Sequence, residues 1–433
     1  MIRKSWKNGL CAVLIAIMAV SCVLPISAAA EMTGDAEITP WPGSKDVRQV
    51  EKPEIGAGNA SGLDFHNGNL YAVDNGTAGL QVLEVLQDGT LRYAAGYEEE
   101  KRIRFADPDI PGQPDVEGIT VSDDGSVYVA TERDNRKPWV SSNRILRLNP
   151  WTNESVLTAL QEWDLTAILP SSLANSGIEA VEWVHGSAMT GCLPDHAKQK
   201  LFDMADYPQA VSDGIFFVLL EMNDHLYACI LNRDGTACVV ADIEPGLQGI
   251  AALEYDQTTG VLWAASDDRG ENRLARLLFS EGKVTTEFVL PPESLDISHN
   301  NEGFAIAEES YTENDSRPVY WLRDGVYESA LTIGSLTHHI HVFTEEWQKE
   351  AGYHWQACVC GVRQNQEAHS FANIVTDAAQ KSPAVRNHTA VYYPSCLVCG
   401  ALDTGNTFSA GQTMDPERLT TPVAIQIFGI PQM

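Results

Sequence analysis

Carboxylates recur in this chain at places that a structural repeat would bring together. Glu117, Glu179 and Glu302 each stand beside a glycine or its equivalent at the start of an apolar run. Asp74, Glu132, Glu221, Asp267 and Asp324 each end the apolar run that follows. Carboxylates gathered in one opening repel, and their pKa values rise unless a cation neutralises them. Calcium takes about six to eight oxygen ligands and suits such a set. A metal held there would clamp a phosphoryl or carbonyl oxygen and activate water. Asp74, Glu117, Glu132, Glu179, Glu221, Asp267 and Glu302 are therefore the expected calcium ligands. Arg133 follows Glu132, and Arg269 follows Asp267-Asp268. A guanidinium beside a metal would steady an anionic group. Glu117, Arg133, Glu302 and Arg269 are the catalytic candidates. Each carboxylate also has a plainer role, accepting backbone N–H groups at a strand end, and each arginine a plainer role in a salt bridge. Duplicated repeats inherit such anchors, so recurrence alone does not choose. The chain holds no G-x-S-x-G, HExxH or P-loop sequence.

A second cluster lies near the C-terminus. Cys396-x-x-Cys399-Gly400 is a knuckle-type pair, and Cys358-x-Cys360-Gly361 is a shortened one. His341, His354 and His369 lie nearby in sequence. Two readings stand: a tetrahedral zinc site drawing on His354, Cys358, Cys360, Cys396 and Cys399, or two disulfides. Either would staple a segment too small to hold itself by apolar burial.

The elements that position the carboxylates are strands. From residue 46 to 336, short alternating apolar runs are separated by turn signals such as Asn67-Gly68, Asp124-Gly125 and Asp234-Gly235. Glycines 62, 118, 177, 249 and 303 mark the repeat, and each interval holds about four strands. Four antiparallel strands per repeat predict an all-β fold, a β-propeller of five or six blades. Five repeats are visible. The last is short of strands, and Asp46–Ile55 would supply its outer strand. Gln248 stands where other repeats place an acid. The longest interval carries a polar insertion, Ser187–Asp213, with one helical turn. A β-sandwich would explain the alternation but not the four-strand period.

The sequence divides into a signal peptide at 1–30, a flexible leader at 31–45, the propeller at 46–336, a small Cys/His domain at 337–410 and a tail at 411–433. Arg3, Lys4 and Lys7 precede the apolar stretch Leu10–Leu24, and Ser27-Ala28-Ala29-Ala30 reads as a cleavage region. The expected location is secreted or cell-surface, with lipoprotein processing at Cys22 the alternative. The formal charge is −30, which argues against binding a nucleic acid polyanion and favours cationic partners or a divalent metal. No mature segment has the length of a membrane span. Nine cysteines include two in the signal region, and the odd remainder leaves at least one thiol outside any internal pairing. Cys229 and Cys238 flank the turn at Asp234-Gly235, and register decides whether they meet.

The order SGLDF, DVEGI with VYVATER, GIEAVEW, QGIAALEYDQTTGVLWAASDD and NEGFAIA resembles the SdiA-regulated proteins and the esterase-like phytase domain. The resemblance spans 59–325. It implies an exported β-propeller with a calcium requirement and phosphoester or ester hydrolysis. The C-terminal segment resembles the HW-x-x-C-x-x-CG repeats of secreted Gram-positive proteins, one residue short between Cys358 and Cys360. Two functions follow: a calcium-assisted hydrolase of a small anionic or ester substrate, or a non-catalytic surface module that binds a ligand or protein.

Overall fold

The computed structural model describes residues 38–55, 58–107, 112–337, 343–350, 352–358 and 363–412, with the backbone of Ala28 and Ala29. The rest of the signal region, His341, Cys360 and the side chain of Cys358 lie outside the described residues. The chain divides into two compact units, Met1–His338 and His339–Met433.

The first unit is a five-bladed β-propeller. The innermost strands are Ala60–His66, Pro114–Val121, Ile178–His185, Ile250–Asp256 and Asn301–Ile306, one in each of five antiparallel sheets. Each packs against the next, and the fifth packs against the first. The second strands carry an unbroken apolar stretch because both faces are covered. In Val127–Asp134, Val127 and Val129 join the core shared with blade 1, while Tyr128 and Ala130 join the core shared with blade 3. Five hydrophobic clusters result, one at each blade interface.

Blade 5 takes its outer strand from the N-terminal side, as Arg48–Gln49 pairs with Thr332–Ile333. The fold also begins earlier than residue 46. Ile38–Thr39 lies parallel to Phe288–Val289 in blade 4, and Trp41 is buried against Trp263 and Trp321. Those residues were expected in a leader, and one buried indole explains the difference. In blade 2 the run at Val156–Thr158 leaves its sheet and lies parallel to Arg102–Arg104 of blade 1. Leu157 enters the core between those blades, and Gln161–Asp164 becomes the fourth strand instead. The insertion forms a helical turn at Gly186–Met189 and a short ladder, Pro194–Asp195 with Lys200–Leu201. Cys229 pairs with Val239 and Cys238 with Ile230 across a bulge, and both thiols are free. Among the described residues no helix is long and apolar enough to cross a membrane.

The second unit holds short antiparallel ladders. Phe343–Lys349, Tyr353–Cys358 and Arg363–Ala368 form one sheet, and Gln380–Ser382, Ala390–Tyr392 and Phe408–Ala410 form another. Phe371–Ala372 pairs with Ser395–Cys396.

Candidate functional site

Every inner strand of the propeller carries a one-residue bulge at the same place. The bulged residues are Ser61, Glu117, Glu179, Ala251 and Glu302. A bulge re-aims a side chain, and here it gathers one residue per blade at one mouth of the axial channel. Small residues follow in every blade: Gly62, Gly118, Ala180, Ala252 and Gly303. Close approach requires them. A Cβ on Gly118 would lie 2.7 Å from the backbone nitrogen of Val181, and one on Gly62 would lie 3.0 Å from the Glu117 carbonyl oxygen. Gly177 and Gly249 are therefore not the equivalents of Gly62. Gln248 likewise falls outside the ring, and Ala251 holds its place.

The expected second set of acids needs one substitution. Thr131, Leu220, Ser266 and Arg323 pair with the residues before the bulges, and Glu132, Glu221, Asp267 and Asp324 follow them. In blade 1 that partner is Asp74 itself, opposite Ala60, so Asn75 stands at the equivalent position. Asp74 accepts from the N–H and hydroxyl of Thr77, both at 2.9 Å, in the turn beyond.

The structure brings Asp115, Glu117 and Glu132 together, each offering an oxygen within 4.8 Å of the others. All three are buried. Ser61 Oγ donates to Glu117 at 2.7 Å and approaches Glu302 at 3.4 Å. Asn75 Nδ2 donates to Glu117 at 3.0 Å, and Asn300 Nδ2 donates to Glu302 at 2.6 Å. Arg133 pairs with Asp115 at 2.5 Å and Glu132 at 2.7 Å. The second oxygen of Glu132 accepts the N–H of Gly177 at 2.8 Å. Arg269 lies on the turn after Asp267 and is held by Asp267 at 2.7 Å and Glu221 at 2.9 Å.

Burial, then the charge of Asp115, raises Glu117 to about 7. Burial, then Glu117, raises Glu132 to about 8. Glu179 and Glu302 are also pushed well above the carboxylate range, first by burial and then by acids that include Glu117. One arginine does not balance this charge. The mouth either keeps protons or takes up a cation. The carboxylates offer only oxygens, the Ser61 hydroxyl adds a neutral one, and that set fits calcium.

A second acidic belt escaped the sequence reading. Three residues past the bulge stand Asp64, Thr120, Glu182, Glu254 and Ala305. Each of the first four accepts a backbone N–H from the next blade: Val121 to Asp64 at 2.5 Å, Trp183 to Thr120 at 3.0 Å, Tyr255 to Glu182 at 3.0 Å, and Ile306 to Glu254. The other oxygens of Glu182 and Glu254 are buried without a hydrogen-bond partner. Glu254 also lines a cavity of 480 Å³ with His66, Asp123 and Glu308. The repeated triplets LDF, ITV, VEW, LEY and FAI were the available signal.

In the second unit, His354, His369, Cys396 and Cys399 each offer a ligand atom within 4.8 Å of the others. His369 joins His354, Cys396 and Cys399 among the described residues; Cys360 and the side chain of Cys358 lie outside them. Burial would raise the Cys396 thiol, but the backbone N–H groups of Cys399, Val398 and Ser370 outweigh it and hold it at about 6.

No known family model matches this chain, and no curated protein matches it. Several solved structures are similar to the propeller. The glutaminyl cyclase of Myxococcus xanthus shares 12% identity over 69% of this chain and 95% of its own, with a TM-score of 0.39. The aldose sugar dehydrogenase of Streptomyces coelicolor, solved with PQQ, shares 14% over 67% of this chain and 98% of its own, with a TM-score of 0.35. The virginiamycin B lyase of Staphylococcus aureus shares 14% over 66% and 82%, with a TM-score of 0.31.

Proposed function

We propose that the propeller binds calcium at its axial mouth and hydrolyses a phosphate ester or related ester there. The convergence of buried Asp115, Glu117 and Glu132 beside Glu179 and Glu302 carries this reading. The resemblance to the esterase-like phytase domain agrees with it. Asp115, Glu117, Glu132, Glu179 and Glu302 would hold the ion. Bound calcium would polarise the ester and lower the pKa of water. Arg133 would orient the anionic group, exchanging part of its hold on Asp115 and Glu132. The proton lost by the attacking water would pass to the leaving oxygen.

The test is calcium titration of the purified full chain, followed by a phosphoester and carboxylic ester screen with calcium or chelator. One calcium per propeller, with affinity at least tenfold weaker in Glu117→Gln, is expected. No binding at millimolar calcium would sink the proposal. A second reading rests on Arg133 and Arg269, both already engaged by carboxylates. If calcium binds and no ester turns over, the mouth is a ligand-binding face.

A further inference from the structure

The described residues of the second unit bury few apolar side chains. Among its described residues, Ala379, Ala390, Pro394 and Cys396 are the buried apolar ones, and His354 and Ser395 the buried polar ones. Two alanines, a proline and a cysteine bury little apolar surface, and short ladders with so little core are marginal in water. Apolar burial among these residues is too small to hold the described ladders by itself.

The candidate lies where the ladders meet. His354 comes from the strand Tyr353–Cys358, and His369 follows Arg363–Ala368. Cys396 ends the strand Ser395–Cys396, and Cys399 lies on the turn beyond it. The Nδ1 atoms of His354 and His369 are 3.3 Å apart. Cys396 Sγ lies 3.7 Å from His354 Nδ1, and Cys399 Sγ lies 3.4 Å from His369 Nδ1. Zinc–sulfur bonds near 2.3 Å and zinc–nitrogen bonds near 2.0 Å give tetrahedral edges of about 3.3–3.8 Å. The four atoms therefore stand at the separations of a zinc coordination sphere.

Two surrounding features prepare the ligands. The Nε2 atom of His369 lies 2.9 Å from the Glu350 carbonyl oxygen. A carbonyl only accepts, so Nε2 carries the hydrogen and Nδ1 presents its lone pair to the cluster. The Cys396–Gly400 turn closes with Gly400 N–H on the Cys396 carbonyl at 3.0 Å, and Gly400 has φ +68°. That turn brings the Cys399 sulfur back beside Cys396, and the left-handed φ suits glycine.

We propose that His354, His369, Cys396 and Cys399 bind one zinc ion, and that this ion ties the described ladders of the second unit together. Four protein ligands leave no open position, so the site is structural. It joins both sides of the module: the sheet that carries the histidines and the knuckle that carries the cysteines. Binding and folding are then one process.

The experiment is metal analysis of the purified full chain, with thiol titration and limited proteolysis before and after a zinc chelator. One zinc per chain is expected, lost in Cys399→Ser and in His369→Ala but kept in Cys238→Ser. Chelation should expose residues 343–412 to protease while the propeller stays resistant. Cobalt should replace zinc and give the intense visible absorption of a tetrahedral thiolate site. A zinc-free chain would overturn the proposal, whether Cys396 and Cys399 are free or joined in a disulfide. So would zinc retained in both Cys399→Ser and His369→Ala, which would place the metal elsewhere. Calcium binding at the propeller is read separately and does not decide this outcome.

Discussion

Glu182 and Glu254 each hold a neighbouring blade with one carboxylate oxygen and bury the other without a donor. Burial first, and neighbouring acids second, push both well above the usual range. In the unfolded chain they ionise near the ordinary value of about 4.3. Between that value and the folded one, the unfolded state has released its protons and the folded state has not. Their contribution to stability therefore falls as pH rises through this window and levels off above the folded value. Glutamine keeps the accepting oxygen and cannot ionise. The double variant Glu182→Gln/Glu254→Gln should lose less stability than the parent between pH 5 and pH 8, measured by urea unfolding with calcium present to fix the mouth. An equal decline in the two proteins would show that these carboxylates are ionised in the folded state across this range. The same residues mark a limit of the sequence. An acid in an alternating strand looks like a solvent-facing position, and nothing local tells that the face is an axial channel. Glu117, Glu179 and Glu302 were legible because each precedes a small residue that the channel requires.

Trp41 shows how one side chain decides where an element belongs. Its ring packs at 5.8 Å from Trp263 of blade 4 and 5.3 Å from Trp321 of blade 5, and its Nε1 donates to the Ser335 carbonyl at 2.8 Å. Replacement by alanine would leave a cavity between two blades and an unpaired carbonyl. Trp41→Ala should cost ~3–5 kcal/mol, read as a lower urea midpoint of the propeller. A loss under about 0.5 kcal/mol, as for a surface change, would mean the segment is only a leader. The sequence showed the five repeats and the borrowed outer strand, because alternation and turn residues are local. It did not show the bulges, since an extra residue leaves the apolar pattern readable in either register. That is why Gly177 and Gly249 seemed to align with Gly62, and why Asp74 seemed to stand where Asn75 does.

A propeller has few contacts between non-adjacent blades, so a ligand at the axis acts on the whole ring. Ser61 and Asn75 come from blade 1, Asp115, Glu117 and Glu132 from blade 2, Glu179 from blade 3 and Glu302 from blade 5. Without a cation, these acids carry the same sign as the belt below them. Glu117 rises to about 7 and Glu132 to about 8, so the unfolded chain ionises first and stability is lost between about pH 4.3 and pH 8. Calcium needs the ionised form. Its binding should therefore release protons and tighten across that same interval. The expected result is a propeller whose melting temperature, in chelator, falls from pH 5 to pH 8. At pH 8, calcium at about a hundred times its Kd adds ~2.7 kcal/mol, which is roughly 4 °C for a unit of this size. At pH 5 the calcium effect should be small, because protons already neutralise the mouth. Calorimetry across this pH range, with and without calcium, separates the two states. An equal calcium effect at pH 5 and pH 8 would mean that the ion binds at exposed carboxylates and not at the axial mouth.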